Sequence, residues 1–395
     1  MPRILGVIAE YNPFHNGHAW HLAQARAAAQ ADYVVVVMST CFTQRGDAAL
    51  LSPKDRAAMA LSCGADAVFA LPTVHAARDA EHFAQAGVSI LDGLGCDAIS
   101  FGTEISSLPI LQSAANLIES GDEAFTSQVK FRLGNGTPYP AAIAQAADTV
   151  LPGAGQLLNH PNSTLAICYL RALQRISSRM AVCPIQRSNS YHETAILDGM
   201  PSATALRGAM LRGDWASASA AIPPAAYARL QEAAAQGRIH RPESLDAALL
   251  YRLRTMSDSE YASLPDISEG IEHRLHSAAS IACSRSRLLE AAKTRRYPHA
   301  RLSRLATHAL LGLSAETLQQ LPSIIDSAWL LGFRNDASNL ISLLSKRSHL
   351  KLLTRSSDLD TSASWFRTES LAHDLWALGA GLPSGLAMTQ GMVII

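Results

Sequence analysis

Short apolar runs separated by mixed stretches pattern the first half of the chain. Ile4 to Ala9 is the first, and Tyr33 to Met38, with four consecutive valines, is the second. Ala67 to Leu71, Asp97 to Phe101 and Met180 to Arg187 continue the series. Runs of this length predict buried strands. Between them, Ala19 to Ala31 consists almost wholly of good helix formers. Ser52-Pro53-Lys54-Asp55 opens another helix, with Ser as cap, Pro at the first position and Asp in the first turn. Strands alternating with helices predict βαβ units, hence an α/β fold with a parallel sheet covered on both faces. Such sheets bind ligands at the carboxyl ends of their strands, at a topological switch point. The loop at residues 10–18, just after the first strand, is the expected place. From about Ser202 the pattern turns helical, so a boundary is expected near residue 215, dividing 1–215 from a mostly helical 216–395. The apolar tail Gly391–Ile395 is expected to dock.

A length of 395 residues predicts two or three domains, 48% hydrophobic residues suit a folded soluble protein, and sparse aromatics (6%) with abundant Ala favour helix. The 33 basic and 33 acidic residues cancel, so any nucleic-acid partner must be met by local patches. Six cysteines are scattered without a C-x-x-C pair or zinc spacing, the usage of a reduced, cytoplasmic protein. The first strand begins so early that no signal peptide is expected, and no apolar run approaches the ~20 residues of a membrane span.

The chemistry concentrates in His15-Asn16-Gly17-His18. Two histidines three residues apart at a loop-to-helix junction can face one spot. A helix N-terminus exposes backbone N–H groups and positive dipole, a ready phosphate site, and Gly17 admits close approach. Imidazoles can donate to phosphate oxygens and stabilise charge developing at phosphorus. The bare tetrapeptide reads equally as two surface histidines in a turn, and a metal site lacks a third ligand. A companion, Pro201-Ser202-Ala203-Thr204-Ala205-Leu206-Arg207, resembles the second signature of the HxGH nucleotidyltransferases. It also reads as a Ser-capped helix.

Further segments extend the resemblance. They include Gly6 to His18, Gln44-Arg45-Gly46, Asp55 to Leu61, Gly64-Ala65-Asp66 and Phe101-Gly102-Thr103-Glu104. Pro161-Asn162 with Tyr169, Ser190-Tyr191-His192, Ser268-Glu269-Gly270, Lys293 to Tyr297 and Leu331-Gly332-Phe333 follow in order. Together they resemble the bacterial tRNA(Met) cytidine acetate ligase family over nearly the whole chain. The chain departs from that pattern at Ser39–Thr43, at Ala70, where a Glu often stands, and at Ser163 and Thr164.

The resemblance implies a Rossmann-like nucleotidyltransferase domain at 1–215 and a tRNA-binding region at 216–395. It implies that acetate attacks the α-phosphorus of ATP, with Mg²⁺ as companion. The acetyl group then passes to N4 of the wobble cytidine of elongator tRNA(Met). His15 and His18 would be catalytic. ATP would meet Val7, Ile8, Ala9, Glu10, Tyr11, Asn12, Pro13, Phe14, His15, Asn16, Gly17, His18, Ala19, Trp20, Gly102, Asn162 and Arg187. Ser202, Thr204 and Arg207 of the second signature would join them. Glu10 could hold Mg²⁺ or simply face the helix dipole. Arg285, Arg287, Lys293, Arg295, Arg296, Arg301 and Arg304, interleaved with Tyr297 and His299, would meet tRNA; by composition alone they are a solvated helix face. A second basic cluster is Lys346, Arg347, Lys351 and Arg355. The alternatives are an adenylyltransferase of cofactor synthesis and a non-catalytic RNA-binding protein with a relic pocket.

Overall fold

The computed structural model describes residues 1–105, 107–187, 202–268, 270–321 and 325–395. Ser190-Tyr191-His192, Pro201 and Glu269 therefore lie outside the described residues. Strands β1 (Ile4–Ala9), β2 (Tyr33–Ser39), β3 (Ala67–Leu71), β4 (Ala98–Thr103) and β5 (Ala181–Gln186) form within two residues of the predicted bounds. The valine run shows why. Val35 and Val37 enter one core with Ile4, Phe69 and Ile90, whereas Val34 and Val36 enter another with Leu5, Leu22 and Met59. A strand sends successive side chains to opposite faces, so an unbroken apolar run suits a strand covered on both.

Helices α1 (Asn16–Ala29) and α2 (Pro53–Ser62) cover the second of these faces. A single turn, α3 (Thr73–Ala76), leads to α4 (Ala80–Gly93), which with the Pro161–Arg175 helix covers the first. Helix α1 starts at Asn16, three residues before the Ala19 expected, because His15 caps it.

The described strands form one sheet in the order β5-β4-β1-β2-β3-β6-β7. The first five are parallel. β6 (Ser327–Phe333) runs antiparallel to β3, and β7 (Lys351–Leu353) and β8 (Val393–Ile394) run parallel to β6. Because β2 and β4 flank β1 on opposite sides, the order reverses at β1/β4, and ligands bind outside the carboxyl ends of such a pair. The apolar tail docks as β8.

The stretch 216–395 is mostly helical, yet its cores divide the chain differently from a cut at residue 215. Ile222, Ala226 and Leu230 pack with the sheet, as do Trp329, Leu331 and Phe366. A separate helical core comprises Leu249, Leu253, Leu275, Leu302 and Leu305, among others. This helical body clasps the loop after β2. Gly46 has φ of 79°, and a Cβ there would lie 2.8 Å from the backbone of Ser303 and Arg304, so only glycine fits. Thr307 Oγ1 and Arg285 Nη2 donate to Gly46 O, and Ser303 Oγ donates to Arg45 O.

Candidate nucleotide-binding site

The loop after β1 turns through Tyr11, whose φ is 47°, and a cis Asn12–Pro13 peptide before α1 begins. His15 is the N-cap. Its Nδ1 accepts from Gly17 N at 3.1 Å, and His15 N donates to His18 Nδ1 at 3.3 Å. A ring nitrogen that accepts carries no proton, so both rings are Nε2–H tautomers and keep that donor for a ligand. The rings stack with centroids 3.7 Å apart. Tyr11 meets His18 edge-on at 4.8 Å and Phe14 lies 5.6 Å from it, so His18 is held on three sides.

Two expectations change here. Gly17 N is engaged by His15 Nδ1, and His18 N by His15 O at 2.9 Å. The helix end thus offers less bare backbone than its sequence suggests, and the two Nε2–H groups are the candidate donors there. The nearest neighbour of a Cβ at Gly17 is the His15 ring, at 3.0 Å, so this glycine makes room for the cap. Val7 and Phe14, expected to meet ATP, have side chains sealed in the core at 2% and 0% exposure. Pro13 is likewise buried, whereas Ile8, Ala9, Asn16, Ala19 and Trp20 are half-buried.

The second signature closes on this loop. Ser202 Oγ caps the Ala203–Leu211 helix by accepting from Ala205 N. Arg207 Nη1 donates to Asn12 O at 2.6 Å and Nη2 to Thr204 Oγ1 at 3.2 Å. Asn12 Oδ1 accepts from Leu50 N at 2.8 Å. Glu10 Oε1 accepts from Gln44 N at 2.6 Å. Burial pushes the Glu10 carboxyl up, against the pull of the Gln44 N–H and of Arg207, Arg45 and Arg56. A carboxylate among three guanidinium groups is poorly placed for a cation, and no group of three or more His, Cys, Asp or Glu among the described residues could hold one.

At the end of β4, the Arg187 stem lies across Gly102, its Cγ 3.2 Å from where a Cβ would stand. Arg187 N donates to Thr103 O at 2.8 Å. Glu104 accepts from Asn162 Nδ2 and Ser163 Oγ, both at 2.7 Å, and from Ser163 N at 2.8 Å. Desolvation opposes its charge, but the hydrogen bonds win and hold the carboxyl below its usual range. It thereby fixes Asn162 at the start of the Pro161–Arg175 helix.

Two residues of consequence were not singled out from the sequence. His21 continues the three-residue spacing of His15 and His18 on α1, and its Nε2 lies 3.3 Å from Ser100 Oγ. The repeated spacing was the available signal. Arg56, fully buried, donates to Glu10 O at 2.6 Å, Ser39 O at 2.9 Å, Leu51 O at 3.1 Å and Thr40 O. It ties the ends of β1 and β2 to α2.

Burial first, with Arg187 adding to it, lowers His15 to about 3 and His21 to about 4, and His18 falls well below the ordinary imidazole value. Burial likewise lowers His75, His240 and His308 to about 4. The unfolded chain takes up protons below pH ~6.5, whereas these folded groups resist until about 4. Stability is therefore expected to be full above pH ~6.5 and to fall steadily toward pH ~4. Thermal midpoints measured by circular dichroism from pH 7.5 to 4.5 check this; a flat profile contradicts it.

The seven cations expected to meet RNA separate into two groups. Arg285 turns inward, with Nη1 at 2.9 Å from Asp47 Oδ1 and Nη2 at 2.6 Å from Ser303 Oγ. Arg301 donates to Asp266 O and Ser268 Oγ, both at 2.7 Å, and Arg304 is half-buried, the desolvation lowering its pKa. Lys293, Arg295 and Arg296 are exposed, as is Arg287, which pairs with Glu290 at 3.1 Å. Tyr297 belongs to the helical core at 8% exposure and offers no face for a base. In the second cluster, Arg347 bridges to Asp97 at 3.0 Å and to Pro2 O.

Parallel strands reversing at β1/β4, a histidine-capped helix at that crevice and an arginine-bearing second helix define a HIGH-type nucleotidyltransferase. The model of the HIGH Nucleotidyl Transferase family matches residues 2–383. The tRNA(Met) cytidine acetate ligase of Acetivibrio thermocellus is 33% identical, with 100% of each chain covered. That of Bacillus subtilis is 35% identical over 81% of this chain and 78% of its own. TmcAL of Thermotoga maritima, solved apo, superposes with a TM-score of 0.93 at 26% identity, covering 100% of this chain and 99% of its own. The same protein bound with alpha-thio ATP gives 0.91 at 25% identity over the same shares. This chain belongs to the tRNA(Met) cytidine acetate ligase family.

Proposed function

We propose that the protein is an ATP-dependent ligase that activates acetate and acetylates N4 of the wobble cytidine of elongator tRNA(Met). The observation that carries this reading is the pair of neutral, Nε2–H imidazoles stacked at the switch point, in a chain similar throughout to ligases of that name. Acetate is ionised at neutral pH, like a Glu side chain of pKa ~4.3, and needs no general base. Its oxygen attacks the α-phosphorus, and the bond to the β-phosphate oxygen breaks to release pyrophosphate. The N4 lone pair then attacks the acetyl carbonyl carbon. The C–O bond to AMP breaks, AMP leaves with the electron pair, and N4 loses one proton.

The protein's task in the first step is positioning and charge stabilisation. His15 and His18 donate to the phosphate oxygens, and Arg187 and Arg207 add positive charge on either side. Asn162, its amide nitrogen held by Glu104, offers its oxygen to the adenine amine. Mg²⁺ arriving with ATP would neutralise part of the phosphate charge. No helix of the described residues is long and apolar enough to cross a membrane. The reduced cysteines and the ATP and tRNA substrates suit the cytoplasm.

Because the nucleophile needs no deprotonation, acetyl-adenylate should form without RNA and be shielded from water until transfer. Incubation with ATP, Mg²⁺ and labelled acetate is expected to yield pyrophosphate and protein-held label. Adding the tRNA should then move the label to cytidine N4. Transfer supported by acetyl-CoA alone, or pyrophosphate release requiring a cofactor precursor, would refute the reading.

The exposed cations Arg295 and Arg296 serve the RNA. Replacing both with Ala is expected to weaken tRNA binding and reduce its salt slope by about one unit per lost phosphate contact, with acetate activation unchanged. Filter binding across a salt series measures this. An unchanged slope returns the segment to a solvated helix face.

A further inference from the structure

A cavity of about 220 Å³ lies where the loop after β2, the Ala203–Leu211 helix and the helical body meet. Arg207 and Leu211 line it from the second-signature helix, Phe42, Asp47 and Leu50 from the loop, and Ala306 from the helical body. Arg207 also donates to Asn12 O, and the loop reaches Glu10 through Gln44 N, so the cavity shares its wall with the nucleotide site.

Resting on the acetate-ligase reading, we infer that this cavity receives the cytosine of the acceptor nucleotide, splayed out of the anticodon loop. Its size suits one ring, since a dry cavity of about 150 Å³ accommodates benzene. Its walls are mainly apolar, as a base needs, with polar groups confined to few places. One of these is Asp47. Its Oδ1 is held by Arg285 Nη1 at 2.9 Å, and Oδ2 carries no hydrogen bond among the described residues. A carboxylate accepts from the cytosine amine. Asp47 takes one N4–H, which distinguishes cytosine from uracil and leaves the nitrogen lone pair for the acetyl carbon. Single-stranded loop bases are read in this way, by extrusion into a pocket and recognition of the Watson–Crick edge.

The test fills the cavity at two places outside the ATP machinery: Ala306→Leu on its buried wall and Ala48→Leu at its half-buried rim. Each is combined with intact elongator tRNA(Met) and with the same RNA lacking the wobble base. The unmodified protein should lose about tenfold in affinity when the base is removed, near the low end for burying one base. Each variant should bind both RNAs alike and transfer acetyl at least tenfold more slowly. Pyrophosphate release from ATP and acetate should stay within twofold. A folded variant that transfers normally and still distinguishes the two RNAs overturns the inference. Circular dichroism certifies folding, and if Ala306→Leu fails to fold, Ala48→Leu decides. Should the unmodified protein release no pyrophosphate with acetate, the ligase reading fails instead, while base-dependent affinity still reports on the cavity.

Discussion

His18→Ala is expected to lower pyrophosphate release from ATP and acetate by at least about 100-fold, the scale of losing one preorganised donor to a developing anion. The geometry makes His18 the better organised of the two imidazoles. A backbone N–H from His15 fixes its tautomer, and Tyr11, Phe14 and His15 fix its plane. Each of those supports survives little movement, so the Nε2–H keeps its orientation without reorganising during reaction. His15→Ala should be similar or milder. It removes one donor and a cap, but the backbone N–H that holds His18 remains. Single-turnover measurements with saturating ATP separate the effect on chemistry from that on binding. Near-normal release in both variants would remove the motif from the mechanism.

Arg56→Met is expected to have the largest effect on stability. The side chain is fully buried and donates to four carbonyls at the ends of β1, β2 and the start of α2. Burial draws its pKa down to about 10, so it remains charged at neutral pH. Methionine would fill much of the volume but satisfy none of those acceptors. A buried acceptor left unmade costs about 1–3 kcal/mol, so several together approach a large part of a domain's net stability. We expect a drop in thermal midpoint of more than about 5 °C, since ~1 kcal/mol alone shifts a mid-sized domain by a few degrees. We also expect weaker ATP binding, because Glu10 and the loop after β1 lose their anchor. A midpoint within a degree or two of the original would show that water or a backbone shift replaces the guanidinium.

The first five strands were legible because each is a short apolar run buried on both faces, and burial on both faces leaves a continuous signal in the sequence. β6 was not. Its run Ser327–Phe333 is as apolar, but a short apolar run following helices cannot be told from a buried helix segment by periodicity. β7 and β8, of three and two residues, are too short to pattern at all. The basic segment shows the opposite failing. Arg285, Arg295 and Arg304 look alike in sequence, and only packing makes the first a clasp on Asp47, the second a surface cation and the third a half-buried one.

By itself the sequence determined the parallel α/β core, the loop-to-helix junction at His15–His18 after the first strand, and the family through its ordered motifs. Those properties are local: strand periodicity, a cap, a spacing of three along one helix. Tertiary structure decided which hydrogen bonds set the tautomers of His15 and His18, that Glu104 holds Asn162, and that Arg56 pins two strand ends. It also decided that the chain from Ser327 onward returns to the sheet and that a cavity opens beside Arg207. Each of these depends on groups far apart in the chain meeting at one point, and burial and hydrogen-bond geometry at such a point are properties of the packed molecule.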